Sequence, residues 1–251
     1  MQKDFLLENG FVKRLNELNS EIIRKSENLP VNRKRRESGE KTIFSPQGSD
    51  RYCVDAFMAM VQITSVIDSL DHTRIYICRY PYSKSNKSIG ITQSSYMRYF
   101  EENYYLRVVS LFDRLCFLVN VIYEIGLPSR SAKFHLLQEI SYLKGIKIIK
   151  LLKDFEKCMS AYKEQRNSFV HRKDLCHEDL NHLALAELIL SSGHKKDMEF
   201  KGYAKISLML YKNKIKIKMK KEIKDMKLFV DLFFKEISTE FEKRLDIKNK
   251  D

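Results

Sequence analysis

Apolar residues recur along most of the chain at the three- and four-residue spacing of amphipathic helices. This spacing predicts helices over residues 4–28, 50–69, 93–125, 131–144, 147–171, a segment running to Gly193, and 220–245. Only eight glycines and four prolines interrupt the 251 residues, so long helices can form without breaks. The pattern therefore predicts a mainly α-helical protein.

Three regions depart from the helical period. Residues 30–50 are polar and contain the basic run Arg33-Lys34-Arg35-Arg36, and residues 73–92 carry short β-branched pieces around a polar centre, so both are predicted as loops. Residues 204–219 alternate apolar and polar positions with period two, which predicts a β-hairpin with one lysine-lined face. The expected fold is a helical bundle with a small β-hairpin appendage near the C-terminus.

The same breaks suggest three parts. Residues 1–49 are predicted to form an N-terminal helix and a basic linker, and residues 50–192 to form the helical bundle. Residues 193–251 are predicted to hold the hairpin and a C-terminal helix. This last helix carries so much apolar surface that we expect it to dock on the bundle or on a second subunit.

Composition narrows the class of protein. An apolar fraction of 43% indicates a globular chain, and no apolar run reaches the roughly 18–20 residues of a membrane span. The five cysteines are odd in number and form no Cys-x-x-Cys pair, which favours reduced thiols and a cytoplasmic location. No membrane partner is expected.

Charge points to an anionic partner. The formal net charge is +13, and ten lysines lie between residues 201 and 227. Such a surface attracts nucleic acid through counterion release, although a solvated lysine-rich surface gives the same composition. RNA is therefore one candidate partner.

The strongest candidate for chemistry is the stretch from Glu164 to Arg172. On a helix, Asn167 and His171 share one face, and the long side chain of Arg166 can reach that face from the side. The guanidinium of arginine suits a phosphate, and histidine exchanges protons near neutral pH. These are sufficient parts for moving a phosphoryl group along an RNA backbone.

A nearby group of possible metal ligands does not change this interpretation. His171, Cys176, His177 and His182 lie within twelve residues, but their spacing is not that of a zinc finger. Separate surface or capping roles are favoured, so no metal and no other cofactor is expected.

The pattern Arg-Asn-x-x-x-His, together with the upstream helix from Tyr104 to Leu115, resembles the Arg-x4-6-His signature of the HEPN superfamily. The resemblance covers about residues 50–192. It implies an antiparallel helical bundle and, in many members, metal-independent ribonuclease activity in toxin, antiphage defence or RNA-processing systems. Such domains commonly form homodimers in which two copies of the motif face one cleft.

The resemblance implies a role for each site residue. His171 would act as general base or acid, Arg166 would stabilise charge on the phosphate, and Asn167 would position the phosphate or the histidine. Asp113, inside the upstream helix, is the carboxylate that we expect to orient Arg166 or His171. In HEPN toxins that pair with a nucleotidyltransferase antitoxin, a tyrosine follows the histidine by two residues and is adenylylated; Lys173 stands there instead.

Two functions remain open at this point. The first is a metal-independent endoribonuclease, with a toxin or antiphage setting and an antitoxin or other partner protein. The second is a non-catalytic HEPN-like module that binds RNA or protein, in which the Arg and His side chains make only structural hydrogen bonds.

Overall fold

A computed structural model describes residues 6, 8–78, 88–170, 178–191 and 198–250. These residues are mainly helical, which confirms the predicted class. The α-helices are α1 (Gly10–Glu27), α2 (Pro30–Glu37), α3 (Gly48–Cys78), α4 (Gln93–Ile122), α5 (Phe134–Glu139), α6 (Lys147–Val170), α7 (Glu178–Ser191) and α8 (Met198–Lys248). Short 3-10 turns lie at Ser129–Ser131 and Ser141–Leu143.

The chain divides into two compact units that share its four longest helices. The first unit contains Met1–Ser65, Leu111–Glu156 and Lys227–Asp251. The second contains Val66–Ser110 and Lys157–Met226. The predicted motif at the end of α6 belongs to the second unit.

Aromatic side chains fill the core of the first unit. Phe11 of α1 lies 5.6 Å, ring centre to ring centre, from both Phe234 and Phe241 of α8. Tyr52 of α3 stacks on Phe241 at 5.4 Å and donates a hydrogen bond from its hydroxyl to the Ile122 carbonyl at 3.0 Å. The C-terminal half of α8 therefore packs against α1 and α3 within the first unit.

The start of α4 in the second unit is held by a carboxylate from α7. Glu187 accepts hydrogen bonds from the backbone N–H groups of Gln93, at 2.7 Å, and Ser94, at 3.1 Å, and from the Ser94 hydroxyl. A negative charge at a helix N-terminus satisfies unpaired N–H groups and complements the helix dipole. This contact fixes α7 against α4.

The predicted β-hairpin over residues 204–219 is wrong, because these residues form part of the 51-residue helix α8. Tyr211, Ile215 and Met219 are each 5% exposed or less, whereas Ile217 is 71% exposed. Burial at every fourth residue is the helical period, and the period-two alternation arose because lysines occupy the positions between. Lysine, leucine and methionine are also good helix formers.

Two predicted loops contain helix. Within 30–50, α2 spans Pro30–Glu37, because Pro30 stands at a first helical position, where its fixed φ is favourable. The buried Asn32 side chain then donates to the carbonyl oxygens of Ser26 and Ile43, each at 2.8 Å. Within 73–92, α3 continues to Cys78 and α4 begins at Gln93; residues 79–87 lie outside the described residues.

Helix α3 is long and apolar enough to cross a membrane by length and composition alone. The mean hydropathy of its most apolar window is 1.4, and 44% of that window is buried inside the protein. Core helices of soluble proteins meet the same criterion, and the fully buried Ala56, Ile63 and Ile67 are core positions. This single helix is weak evidence for a membrane span.

Candidate functional site

The predicted motif lies at the C-terminal end of α6. Arg166 is partly exposed and Asn167 is exposed, and both belong to the last turn and a half of this helix, which ends at Val170. His171 lies outside the described residues. The described part of the site is therefore an arginine and an asparagine side by side at a helix end.

The side chain of Arg166 has an unusual environment. Its Nε atom is shielded from solvent and has no hydrogen-bond acceptor among the described residues. Leaving a buried N–H donor unsatisfied costs about 1–3 kcal/mol, and more for a charged group. A ligand oxygen, such as that of a phosphate, would satisfy this donor.

Asp113 forms an ion pair within the first unit. Its carboxylate pairs with the Nζ of Lys133 at 2.9 Å, and both side chains are nearly half exposed. Asp113 and Lys133 belong to the first unit, and Arg166 belongs to the second. The neighbouring Arg114 donates a hydrogen bond to the Gln62 side-chain oxygen. The role of Asp113 as an orienting carboxylate stays a prediction.

A network of tyrosines and carboxylates positions the end of α6 within the second unit. The Tyr104 hydroxyl of α4 donates to Glu222 of α8 at 2.9 Å, and Tyr162 of α6 also donates to Glu222. The rings of Tyr105 and Tyr162 lie 5.9 Å apart, and Lys218 donates to the Tyr105 hydroxyl at 3.2 Å. Because Tyr162 precedes Arg166 by one helical turn, this network places the motif.

A second hydrogen bond between a tyrosine and a glutamate also joins α4 to α8. Glu101 of α4 is 2% exposed and accepts a hydrogen bond from the Tyr211 hydroxyl of α8 at 2.7 Å. Burial is the main cause that raises the pKa of Tyr104, Tyr105 and Tyr162 above the usual 10, and nearby carboxylates add to it. These hydroxyls therefore remain neutral donors at physiological pH.

Replacing Glu222 with alanine is expected to lower the free energy of unfolding by about 1–3 kcal/mol, because the Tyr104 and Tyr162 hydroxyls lose their shared acceptor. Asp246→Ala, at an exposed position of the same helix, is the control and is expected to stay within about 0.5 kcal/mol of wild type. Urea unfolding followed by circular dichroism measures both. Equal stability of the two variants would contradict the network's role.

Among the described residues, no three His, Cys, Asp or Glu side chains come close enough together to hold a metal ion. Of the histidine- and cysteine-containing segment, only His182, which is exposed on α7, lies within the described part; His171, Cys176 and His177 lie outside it.

The protein is mainly helical and carries an Arg-Asn-x-x-x-His sequence that begins in the last turns of α6. A protein-family model described as Cthe2314-like HEPN matches residues 57–243, about three quarters of the chain. The chain therefore belongs to the HEPN superfamily, as its sequence resemblance predicted. The match extends beyond residue 192 and includes most of α8. No curated protein and no solved structure matches the chain significantly.

Sequence reasoning missed the residues that support the motif. Tyr104, Tyr162 and Glu222 were not among the residues predicted for the site. The available signal was the placement of the two glutamates: Glu101 lies among aromatic residues, and Glu222 lies among lysines. A carboxylate in such a position often accepts hydrogen bonds from a neighbouring element.

Proposed function

We propose that this protein is a metal-independent HEPN-type endoribonuclease that acts as a toxin or antiphage defence effector. The observation that carries the proposal is the buried Nε of Arg166, which has no acceptor in the described part of the chain, beside the exposed Asn167, in a chain of the HEPN superfamily. Phosphate oxygens, like carboxylate oxygens, match the planar fork of donors of a guanidinium.

The proposed reaction is an internal transesterification, in which a phosphoryl group of the RNA backbone passes from the 5′-oxygen to the 2′-oxygen. A ribose 2′-hydroxyl attacks the adjacent phosphorus and loses its proton to a histidine base, while the 5′-oxygen leaves and gains a proton from an acid. The products are a 2′,3′-cyclic phosphate and a 5′-hydroxyl end. His171 is the proposed proton carrier, and Arg166 stabilises charge on the phosphate oxygens.

A homodimer is part of the proposal. In the second unit, α8 presents Tyr203, Ile206 and Leu210 at helical spacing, with exposed fractions of 55% or more, and α7 presents Leu185 and Leu188 at 57% and 68%. Exposed apolar residues at helical spacing are typical of protein interfaces. We assign the exposed apolar residues of α7 and α8 to contact between two copies, which brings two motifs to one RNA strand.

Lysines along α8 support RNA as the substrate. Lys212, Lys216, Lys220 and Lys224 follow each other at four-residue intervals, which places successive cations about 6 Å apart along the helix. Such a row suits a phosphate backbone and gives affinity that does not depend on sequence.

The test of this function is cleavage of single-stranded RNA by the purified wild-type protein in excess EDTA. We expect products with 2′,3′-cyclic phosphate and 5′-hydroxyl ends. We also expect no cleavage at a nucleotide whose 2′-hydroxyl is replaced by hydrogen, because the nucleophile is absent. Cleavage that requires a divalent metal, or that leaves 5′-phosphate ends, contradicts the mechanism.

The second candidate is an HEPN-like module that binds RNA or a partner protein, such as an antitoxin, without cleaving RNA. The exposed apolar residues of α7 and α8 favour a protein partner. RNA binding with steep salt dependence and without cleavage would support this candidate over the nuclease.

A further inference from the structure

A cleft between α3 and α4 of the second unit combines aromatic rings with polar and cationic side chains. Its volume is about 200 Å³. The side chains that matter for its chemistry are Ser69, His72, Tyr76, Tyr99, Phe100 and Arg107. None of them belongs to the Arg166 motif or to the tyrosine and carboxylate network.

The cleft has an aromatic end and a polar end. Tyr76 of α3 lies against Phe100 of α4, with ring centres 5.3 Å apart. Ser69 and Arg107 both line the same cleft, so the two helices run antiparallel there. Seven residues separate the two ends on each helix, which corresponds to about 10 Å along the axis. This length accommodates a base together with a flanking phosphate.

The aromatic end presents free ring surface. Tyr99 is 60% exposed and Tyr76 is 51% exposed, although both contact Phe100. Large aromatic side chains normally bury most of their surface, so these two exposed rings, which are inclined at 38° (Tyr76) and 88° (Tyr99) to Phe100, form a platform of open ring faces. Stacking on aromatic faces is the common way in which proteins hold unpaired bases.

The polar end supplies a cation. Arg107 is partly exposed and has no salt-bridge partner among the described residues. His72, exposed on α3, lines the same cleft. An arginine without a carboxylate partner, in a cleft that also holds aromatic rings, suits a nucleotide phosphate.

We propose that this cleft binds one unpaired nucleotide of an RNA strand, with the base against Tyr76 and Tyr99 and a phosphate at Arg107. The inference rests on the proposed RNA substrate and adds a second contact point for the strand. On α4, Tyr105 faces α6, whereas Asn103 and Arg107 face α3, so the cleft lies on the opposite flank of α4 from Tyr162.

The size of the cleft favours a nucleotide within a strand over a free one. Pockets that enclose whole small molecules measure about 300–1,000 Å³. A cavity of about 200 Å³ holds one moiety, so the remaining affinity must come from contacts elsewhere on the strand. Bases in a duplex are stacked and paired and do not offer a free face to the platform.

The absence of tryptophan from the chain allows a direct test by fluorescence. Tyr99→Trp places a single tryptophan in the cleft, and Tyr142→Trp places one at an exposed position of the first unit as a control. Both variants also carry Arg166→Ala, so that RNA stays intact. Single-stranded RNA is expected to quench the fluorescence at position 99 and not at position 142. RNA binding, detected by anisotropy of labelled RNA, without a change at position 99 would overturn the proposal.

Affinity measurements separate the two ends of the cleft. Tyr76→Ala and Tyr99→Ala should each weaken binding of single-stranded RNA about tenfold or more, whereas Tyr142→Ala should bind like wild type. The logarithm of the binding constant falls linearly with the logarithm of salt concentration. Arg107→Gln should make this negative slope shallower by about 0.7, the value for one phosphate of a single strand. The tyrosine variants should keep the wild-type slope.

Further results would count for or against the proposed nucleotide-binding cleft. Duplex RNA that binds as tightly as single-stranded RNA, or equal losses for Tyr99→Ala and Tyr142→Ala, would contradict the inference. A free mononucleotide that binds as tightly as the oligonucleotide would assign the cleft to a small ligand instead. If the wild-type protein binds RNA through the cleft but never cleaves it, the proposed nuclease function fails and this inference stands. If the protein cleaves RNA while the tyrosine variants bind RNA normally, the nuclease function stands and this inference fails.

Discussion

His171→Ala and Arg166→Ala are each expected to slow RNA cleavage by at least about 100-fold. A positioned acid or base contributes roughly 10²–10⁴ to the rate, and removal of one group that stabilises transition-state charge costs roughly 10²–10³. The initial rate of cleavage of a fluorescent RNA, in excess EDTA, measures both effects. Arg166→Lys should remain impaired, because lysine keeps the charge but loses the planar fork of donors.

Matched controls distinguish loss of chemistry from loss of structure. His182→Ala, on the exposed face of α7, and Arg130→Ala, at an exposed turn, remove the same side-chain types away from the motif and should keep wild-type rates. Circular dichroism and sedimentation should show unchanged helicity and dimerisation in all variants. Cleavage that survives both motif substitutions contradicts the assignment of Arg166 and His171.

Asp113→Asn tests the remaining predicted site residue. If Asp113 only pairs with Lys133, its loss removes an ion pair between two nearly half-exposed side chains, which is worth at most about 1 kcal/mol. If it orients Arg166 or His171, the variant loses cleavage activity while its stability changes little.

The second large effect concerns the helix that replaces the predicted hairpin. Ile215→Ala is expected to lower the free energy of unfolding by about 2–5 kcal/mol, because Ile215 is 5% exposed and its loss leaves a cavity. Ile217→Ala should stay within about 0.5 kcal/mol, because Ile217 is 71% exposed. Chemical denaturation of the two variants and wild type gives both differences.

The comparison of these two isoleucines separates the two folds. In a hairpin, residues 215 and 217 point to the same face, so both substitutions would have similar costs. In a helix they lie about 200° apart, and only one faces the interior. Equal losses of stability for Ile215→Ala and Ile217→Ala would therefore argue for the hairpin and against the continuous α8.

The sequence predicted helices well where the apolar period was long. The patterns over 93–125 and 147–171 correspond closely to α4 and α6, because a stripe of apolar side chains every three or four residues has only one stable geometry. Residues 204–219 failed because lysine, which tolerates any exposed position, stood between the apolar residues and imitated a strand. Helix α2 was missed because the basic run after Pro30 was interpreted as part of a loop or linker.

The candidate site was only partly visible in the sequence. Arg166 and Asn167 were predicted because they form a local motif, and the family match supports the resemblance on which the motif rests. The contact of Tyr104 with Glu222 joins residues 118 positions apart, and local periodicity carries no information about such pairs. The cleft at Tyr76 and Tyr99 depends in the same way on how α3 and α4 pack.

The proposed homodimer, in which two motifs meet one RNA strand, implies that Arg166 of one protomer and His171 of the other act on one scissile phosphate. The most direct measurement is the cleavage rate of mixed dimers that contain one Arg166→Ala copy and one His171→Ala copy, purified through two different affinity tags. Activity well above that of either variant alone is the predicted result, because the mixed dimer still provides one intact arginine and one intact histidine. Mixed dimers that form normally but cleave no faster than the single variants would contradict it.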